Sequence, residues 1–350
     1  MQTWLVTGGA GFIGSNFVLR ARRLRLARII NLDALTYAGN LDTLSSLKQD
    51  PDHVFIHGSI ADRALVERLL TEQRPTALIH FAAESHVDRS IDAPAQFIET
   101  NVVGTLNLLL ATLSYFRTLD AADQAHFRFL QVSTDEVYGS LGETGKFLET
   151  TAYQPNSPYS ASKAAADHLV RAYHHTYGLP TLTTNCSNNY GPYQFPEKLI
   201  PLMIFKAARN EALPVYGDGQ NVRDWLFVED HCSAIEAVLR QGRIGEVYNV
   251  GGDAEMKNLD VVHTLIDLID AALPRADASS RRDLITYVRD RPGHDRRYAI
   301  DFSKLTLETG WQPSVTFAEG LKETVTWYLH NAHWTERVLS GAYRCERLGS

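Results

Sequence analysis

The amino-terminal segment constrains the fold more than any other part of the chain. A short apolar run at 3–7 leads directly into a turn with Gly8, Gly11 and Gly14, and a helical pattern continues to about Arg25. A tight strand-to-helix turn needs residues without Cβ, and a pyrophosphate can then approach the backbone and the free N–H groups of the helix. This order of strand, glycine turn and helix predicts a dinucleotide-binding Rossmann unit.

An acidic residue closes the second predicted strand. The strand covers residues 27–32 and is followed by Asp33, which lies 19 residues after Gly14. A carboxylate there accepts hydrogen bonds from ribose hydroxyls and repels a 2′-phosphate, so NAD is favoured over NADP. The alternative is a capping or turn aspartate. The glycine context favours the ribose role.

Strands and helices alternate through the first half of the chain, which predicts a doubly wound parallel sheet with helices on both faces. After about Tyr190, prolines separate shorter segments, as expected for a smaller lobe interleaved with the first. We expect residues 1–189 and about 224–252 to form the NAD-binding domain, and about 190–223 and 253–350 to form a substrate lobe. The predicted strands are 54–58, 77–83, 127–132, 182–186 and 246–250, and the predicted helices are 62–71, 94–116 and 158–177.

Composition excludes several classes of protein. The net charge of -7 argues against a general nucleic-acid binder. Three scattered cysteines fit neither a disulfide framework nor a zinc site, which suggests a reducing cytoplasm. We see no signal sequence and no apolar run long enough to span a membrane. The histidines lack metal-ligand spacing, so no metal site is expected. The residues considered are Cys186, Cys232, Cys345, His53, His57, His80, His174 and His175.

Two further stretches carry chemistry. The strand at 127–132 ends in Ser133-Thr134-Asp135-Glu136, at the sheet edge where ligands of such folds bind. Tyr159 and Lys163 share one helix face, and we expect the ammonium to lower the pKa of the phenol. The alternatives are a turn capped by the two acids and a surface Tyr/Lys pair that arose by chance.

The glycine turn, Thr134 and the Tyr159-x-x-x-Lys163 spacing together resemble the extended short-chain dehydrogenase/reductase superfamily. Within it, the chain is similar to the dTDP-glucose 4,6-dehydratase family. The adjacent acids Asp135 and Glu136 are the specific feature, because relatives that only epimerise C4 lack this pair. The matching stretches are 36–41, 82–90, 133–139, 185–192, 195–201, 223–225 and 290–297.

The resemblance implies an NAD-dependent reaction on dTDP-glucose. Tyr159 removes the proton of the 4-hydroxyl while NAD accepts hydride from C4, and Thr134 holds that hydroxyl. Glu136 then abstracts the C5 proton, Asp135 protonates the departing 6-hydroxyl, and the hydride returns to C6. Two neighbouring carboxyls with opposite roles need different environments.

The resemblance also implies the binding residues and a homodimer formed by the helices near 94–116 and 158–177. Arg223 and Arg291 are expected on the diphosphate, because the Arg fork matches phosphate oxygens. The implied cofactor residues are Gly8, Gly11, Phe12, Ile13, Gly14, Asp33, Leu35, Thr36, Ser59, Ile60, Phe81, Ala82, Ala83, Ser85, Thr100, Tyr159, Lys163 and Asn189. The implied substrate residues are Ser85, Thr134, Asn188, Lys198, Leu199, Pro214, Tyr216, Arg223, Asn258, Arg291 and His294.

One position departs from the family. Where the family commonly has an aspartate and an apolar residue after the third strand, this chain has Ser59-Ile60. A serine can accept the same hydrogen bond from adenine, but without charge. The loop between Gly139 and Pro158 is also shorter than in some relatives. Other possible functions are a 4-epimerase, a dehydratase acting on another nucleotide sugar such as UDP-glucose, and a non-catalytic NAD-sensing module.

Overall fold

The computed structural model describes residues 2–290 and 293–341, and strands and helices alternate over most of this range. The strands are β1 Thr3–Thr7, β2 Arg28–Asp33, β3 His53–His57, β4 Ala77–His80, β5 Arg128–Thr134, β6 Thr181–Cys186, β7 Asn188–Tyr190, β8 Leu213–Tyr216, β9 Val222–Phe227, β10 Val247–Val250, β11 Glu255–Lys257 and β12 Ile285–Val288. The α-helices are α1 Phe12–Arg23, α2 Arg63–Gln73, α3 Val87–Asp92, α4 Pro94–Phe97, α5 Thr105–Phe116, α6 Ala121–His126, α7 Pro158–Tyr177, α8 Leu199–Ala208, α9 Val228–Gln241, α10 Asn258–Ala272, α11 Ser303–Thr309, α12 Phe317–His330 and α13 Ala332–Gly341. Short 3₁₀ helices cover Leu41–Leu47, Asp135–Tyr138 and Arg281–Leu284.

The main sheet has seven parallel strands in the order β10-β6-β5-β4-β1-β2-β3. The chain runs outward from β1 to β3 and then returns to place β4 on the other side of β1. The connections therefore diverge between β1 and β4, and a crevice opens beyond their carboxyl ends. The predicted doubly wound Rossmann fold is confirmed.

Side chains that alternate along the strands pack against two layers of helices, one on each face of the sheet. Trp4 and Val6 point to the face covered by α1 and α9, whereas Leu5 points to the face covered by α2, α5 and α7. Both faces of β1 are therefore apolar, as expected for a sheet enclosed between helices. The loops at the carboxyl ends of the enclosed strands can then carry the site.

A third apolar cluster lies in the part of the chain after β7. Residues of α8, α10 and α12, among them Met203, Leu265 and Leu321, pack there with Tyr190 of β7. Two small sheets, β11-β9-β7 and β12-β8, accompany these helices. Strand β10 returns to the main sheet while β9 does not. The two parts are thus interleaved in sequence, and the domain boundaries given above stay a prediction.

The segment predicted as one helix over 94–116 is divided. Between α4 and α5 lies a π-helical stretch, Ile98–Gly104, which contains Asn101. The Asn101 amide accepts a hydrogen bond from the Glu84 N–H at 2.8 Å and donates one to the Glu84 carbonyl at 3.0 Å. The Asn101 side chain thus holds the loop after β4 through the N–H and the carbonyl of Glu84.

The same segment corrects the expectation about membrane-length apolar runs. Pro94–Phe116 is long and apolar enough to cross a membrane by length and composition alone, and 50% of its most apolar window is buried inside the protein. A helix that packs on a sheet is apolar for that reason, so it meets the same test as a membrane span.

Candidate functional site

A cavity of about 330 Å³ opens at the carboxyl ends of β1, β2, β4, β5 and β6. Residues from the glycine turn, from α7 and from the loop before α8 complete its walls. Most of the predicted site residues therefore surround one space. Those that line it are Gly8, Gly11, Phe12, Ile13, Gly14, Asp33, Thr36, Ser59, Ile60, Phe81, Ala82, Ala83, Ser85, Thr100, Thr134, Asp135, Glu136, Tyr159, Lys163, Asn188, Asn189 and Lys198.

Two glycines make the turn after β1 possible. Gly8 has φ +73°, and a Cβ on it would lie 2.5 Å from the Ala82 nitrogen. A Cβ on Gly14 would lie 2.2 Å from the carbonyl oxygen of Gly8. The turn consequently brings bare backbone and the amino end of α1 to the cavity wall, a cradle that suits a pyrophosphate.

Asp33 lies at the end of β2 and is 8% exposed. The Ala10 N–H donates to its Oδ2 and the Leu35 N–H to its Oδ1, both at 2.8 Å. Burial raises the pKa of Asp33, and these two hydrogen bonds oppose that rise. The two hydrogen bonds show that Asp33 stabilises the backbone turns around it. The remaining lone pairs of its carboxylate are suited to a ribose diol. Leu35 has a left-handed backbone, φ +49°, and lies outside the cavity lining.

Ser59 occupies the position where the sequence departs from its family. Its hydroxyl accepts a hydrogen bond from the Ala61 N–H at 3.1 Å, and its carbonyl accepts one from the Asp62 N–H at 3.0 Å. Asp62 in turn caps α2 by accepting from the Leu65 N–H at 3.0 Å. The serine therefore stabilises this turn, and its contact with adenine stays a prediction.

The strand end that carries the two acids turns into a 3₁₀ helix. Thr134 caps this helix, because its hydroxyl oxygen accepts a hydrogen bond from the Glu136 N–H at 3.2 Å. The same hydroxyl donates to Asp135 Oδ1 at 3.4 Å. The change from strand to helix breaks the alternation of side chains, so both acids can reach the cavity. The cap of this turn is the threonine, not either carboxylate.

Asp135 and Glu136 have different surroundings. Asp135 is 1% exposed, and its Oδ2 has no hydrogen-bond partner. Burial, and after it the charges of Glu136 and Asp224, raise the pKa of Asp135 well above its ordinary value, while Arg223 opposes this. Glu136 is only half-buried. The environment thus favours a protonated Asp135 next to the less buried Glu136, a pair suited to general acid and base roles.

Tyr159 and Lys163 lie in the first turns of α7, which begins after a capping box at Ser157. Lys163 Nζ donates to the Val132 carbonyl at 2.8 Å. Burial, then the charge of Glu136, raises the pKa of Tyr159 well above its ordinary value. The expectation of a lowered pKa is wrong for the described structure, since desolvation of the phenolate is the largest effect and outweighs any lowering by Lys163. A hydrogen bond with Thr134 does lower it.

The other predicted substrate residues lie outside this cavity, and three of them lie near β8 and β9. Tyr216 donates to Asp88 Oδ2 at 3.3 Å, and its ring centroid lies 6.4 Å from that of His294. Arg223 is 4% exposed and donates to the Asp295 carbonyl at 2.9 Å. Arg291 lies outside the described residues. The residues outside the lining are Leu199, Pro214, Tyr216, Arg223, Asn258 and His294.

Several residues in and next to the cavity lining have no motif in the sequence that would mark them. Glu197 accepts a hydrogen bond from the Tyr37 hydroxyl at 3.0 Å, and Arg89 lies 3.7 Å over the Tyr37 ring. Glu84 is buried directly after β4. Only their position in the sequence indicates a role in the site, because each falls within a stretch that matches the family. No group of three or more potential metal ligands occurs within residues 2–290 and 293–341.

Comparisons with known proteins agree with this geometry. The family model described as GDP-mannose 4,6 dehydratase matches residues 5–324. A dTDP-glucose 4,6-dehydratase of Xanthomonas campestris pv. campestris is 65% identical over 350 residues, which is 100% of this chain and 99% of the relative.

Two solved structures are similar over nearly the whole chain. A dTDP-glucose 4,6-dehydratase of Bacillus anthracis in complex with NAD has a TM-score of 0.86 and 48% identity, and the match covers 97% of this chain and 100% of the other. A dTDP-glucose 4,6-dehydratase of Streptomyces venezuelae with NAD and TYD bound has a TM-score of 0.87 and 46% identity, with coverage of 96% and 100%. The chain therefore belongs to the dTDP-glucose 4,6-dehydratase family of the extended short-chain dehydrogenases/reductases.

Proposed function

We propose that the chain catalyses the NAD-dependent dehydration of dTDP-glucose to dTDP-4-keto-6-deoxyglucose. The observation that carries this proposal is the buried acid Asp135, whose raised pKa keeps its proton, beside the more exposed Glu136. Loss of water across C5 and C6 needs one group that accepts a proton and one that donates it. Both acids open onto the cavity that also contains Tyr159.

The residues of the glycine turn fit NAD. Gly8 and Gly14 leave the backbone bare where a pyrophosphate would lie, and the Asp33 carboxylate stands at the end of the neighbouring strand. Thr36, Ser59 and Ala82 are proposed to hold the adenosine and nicotinamide halves with the other cofactor residues named above. Bound NAD supplies an acceptor for the hydride of C4 and returns that hydride to C6.

The chain's own residues move the protons. Tyr159 acts as the phenolate, a form that the Lys163 ammonium one helical turn away favours against the desolvation described above. It takes the proton of the 4-hydroxyl, and Thr134 orients that hydroxyl. The resulting ketone acidifies the C5 proton, which Glu136 accepts. Asp135 protonates the 6-hydroxyl so that it leaves as water, and Glu136 returns its proton to C5 when hydride adds at C6. The raised pKa of Asp135 makes the donation possible near neutral pH.

The nucleotide part of the substrate is proposed to lie toward β8 and β9. Arg223 is proposed to bind the diphosphate, because it is a buried cation on β9 whose guanidinium fork matches phosphate oxygens. Tyr216 and Pro214 form a wall for the base, and Asn258 has a buried Oδ1 without a hydrogen-bond partner. Lys198, Leu199 and Asn188 connect this region with the cavity.

Incubation with dTDP-, UDP- and GDP-glucose tests the function and the base preference together. We expect a 4-keto-6-deoxy sugar and water from dTDP-glucose, without net consumption of NAD. A 4-epimerase would give a product that keeps the 6-hydroxyl, and a sensing module would give none. Absence of a keto product from dTDP-glucose would contradict the proposal, and a faster reaction with another nucleotide would reassign the substrate.

Gly14→Ala is expected to abolish NAD binding. The new Cβ would lie 2.2 Å from the Gly8 carbonyl oxygen, a backbone atom that cannot move without opening the turn. We expect purified protein to lack NAD, as measured by absorbance and by release on denaturation. Gly142→Ala is the matched control, because nothing lies within 4 Å of a Cβ there. Full NAD content in Gly14→Ala protein would show that the turn is not the pyrophosphate site.

We also propose that the protein is a cytoplasmic homodimer, assembled through the Pro94–Phe116 segment and α7 of two subunits. Ile98 and Val103 support this, since they are 45% and 38% exposed on that segment. Exposed apolar side chains on such a segment favour an interface between two copies of the chain.

Negative charges introduced at the proposed interface test whether it forms the dimer. Ile98→Glu combined with Val103→Glu is expected to shift the protein from dimer to monomer, because an interface that buries two carboxylates loses several kcal/mol, on the order of 2 to 5. Sedimentation velocity measures the mass. Leu307→Glu is the control, as Leu307 is 84% exposed on α11, away from the proposed interface. An unchanged dimer in the double variant would place the interface elsewhere.

A further inference from the structure

Asp167 is a buried carboxylate that the reaction described above does not use. Tyr159, Lys163 and Asp167 follow one another at intervals of four residues, so they share one face of α7. Lys163 and Asp167 are each 5% exposed. A charge at this depth persists only where hydrogen bonds or an opposite charge offset the loss of hydration.

Strand β5 holds Asp167 and Lys163 in one arrangement. Ser133 Oγ donates to Asp167 Oδ2 at 2.6 Å, and Gln131 Nε2 donates to Oδ1 at 3.5 Å. Between these two residues, the Val132 carbonyl accepts the hydrogen bond of Lys163 Nζ. Three consecutive residues of the strand therefore fix the carboxylate and the ammonium. The strand continues directly into Thr134 and the catalytic acids.

We propose that Asp167 is a positioning residue for Lys163, whose negative charge keeps the ammonium protonated and directed toward Tyr159. The inference rests on the proposed function, because it assigns a role within the oxidation at C4. It differs from a purely structural role, in which Asp167 would only satisfy hydrogen-bond donors on β5.

Among the titratable groups near Lys163, Asp167 is the one that supplies a negative charge. Cys186 of β6 and His80 of β4 interact electrostatically with Lys163. Tyr159 lies one turn earlier on α7. Burial raises the pKa of Tyr159 and of the Cys186 thiol and lowers the pKa of His80 to about 3, so burial disfavours the charged form of all three. Burial also lowers the pKa of Lys163, and the charge of Asp167 is the largest effect that opposes this.

Asp167 itself is ionised at neutral pH. Burial raises its pKa to about 6, and the largest opposing effects are the charge of Lys163 and the hydrogen bond from Ser133. Gln131 and Tyr153, the other side chains that donate to it, carry no charge. Both opposite charges are therefore present above about pH 6, and their attraction is lost when Asp167 takes up a proton or Lys163 releases one.

The test follows oxidation at C4 alone. In a Glu136→Gln background the C5 base is absent, and the reduced cofactor formed from dTDP-glucose can be recorded by absorbance as a function of pH. Adding Asp167→Asn is expected to move the alkaline limb of this rate by about one to three pH units to lower pH, the usual effect of losing a nearby opposite charge. The reason is that neutral Asn no longer supports the Lys163 ammonium.

Ser133→Ala in the same background is a second test, and it is expected to shift the acid limb of the pH profile instead of the alkaline limb. This change leaves the charge of Asp167 in place but removes a hydrogen bond that lowers its pKa. We expect the acid limb to move to higher pH while the alkaline limb stays where it is. If Asp167→Asn does not fold, this variant decides the question, and an unmoved acid limb would overturn the proposal.

Asp230→Asn is the matched control, a buried aspartate on α9 that accepts hydrogen bonds from Ser314 and Val315, outside the cavity lining. It is expected to change stability without moving either limb. An Asp167→Asn rate that falls equally at every pH would show a structural role and overturn the inference. If the background variant forms no reduced cofactor from dTDP-glucose at any pH, it is the proposed function that fails.

Discussion

Glu136→Gln is expected to complete oxidation at C4 and then stop, so that reduced cofactor and 4-keto sugar accumulate on the enzyme. Glutamine has the shape of glutamate but cannot accept the C5 proton, and loss of a positioned base typically costs about 10²- to 10⁴-fold in rate. Asp135 keeps its proton in the variant, because burial is a larger cause of its raised pKa than the charge of Glu136. Absorbance of the reduced cofactor and the yield of 6-deoxy product measure the two half-reactions separately.

The control for this prediction is Glu143→Gln. Glu143 undergoes the same chemical change on an exposed loop shortly after the 3₁₀ helix. It is expected to turn over like the unaltered enzyme, without accumulated reduced cofactor. If Glu136→Gln instead eliminated water at the normal rate, the C5 base would be a different group, and Glu84, which lines the same cavity, would be the next residue to replace.

The fold and most of the cavity lining followed from local signals in the sequence. The glycine turn requires a strand before it and a helix after it, and apolar runs of the right length mark the strands on either side. Gly178 ends α7 with φ +70°, as its sequence position predicted. In a parallel sheet the carboxyl ends of all strands lie at the same edge, so the residues that follow the strands are predicted to lie together there. For this reason Asp33, Ala82, Thr134 and Asn189 line one cavity although the sequence separates them widely.

Other features depend on packing and could not be predicted from the sequence. The π-helical stretch at Ile98–Gly104 places the Asn101 amide on the backbone of Glu84, and no residue pattern within it differs from that of an ordinary helix. The sign of the Tyr159 pKa shift depends on how deeply the phenol is buried, whereas the spacing to Lys163 shows only that a cation is close. The role of Asp167 likewise needs the distance from Ser133.

Tyr159→Phe is expected to abolish the first step, so that neither reduced cofactor nor keto sugar forms. The variant lacks only the hydroxyl, which is the group that takes the proton of the 4-hydroxyl, and a loss of about 10²- to 10⁴-fold is expected. The ring is retained, with its edge-to-face contact to Phe97 at 6.3 Å between centroids. Folding and NAD content should therefore stay close to those of the unaltered protein.

Tyr115→Phe is the control, since Tyr115 is also buried and its hydroxyl donates to the Pro75 carbonyl at 3.1 Å, outside the cavity lining. Loss of that bond is expected to cost about 1 kcal/mol of stability and no activity.

Combining Tyr159→Phe with Glu136→Gln tests the order of the steps. If Tyr159 acts before Glu136, the double variant shows no reduced cofactor, whereas Glu136→Gln alone accumulates it. Two residues that acted in the same step would not give these opposite results. Accumulation in the double variant at the rate of the single one would mean that another group takes the proton of the 4-hydroxyl. The buried Tyr159 hydroxyl would then serve only to orient Thr134, with which it shares a hydrogen bond.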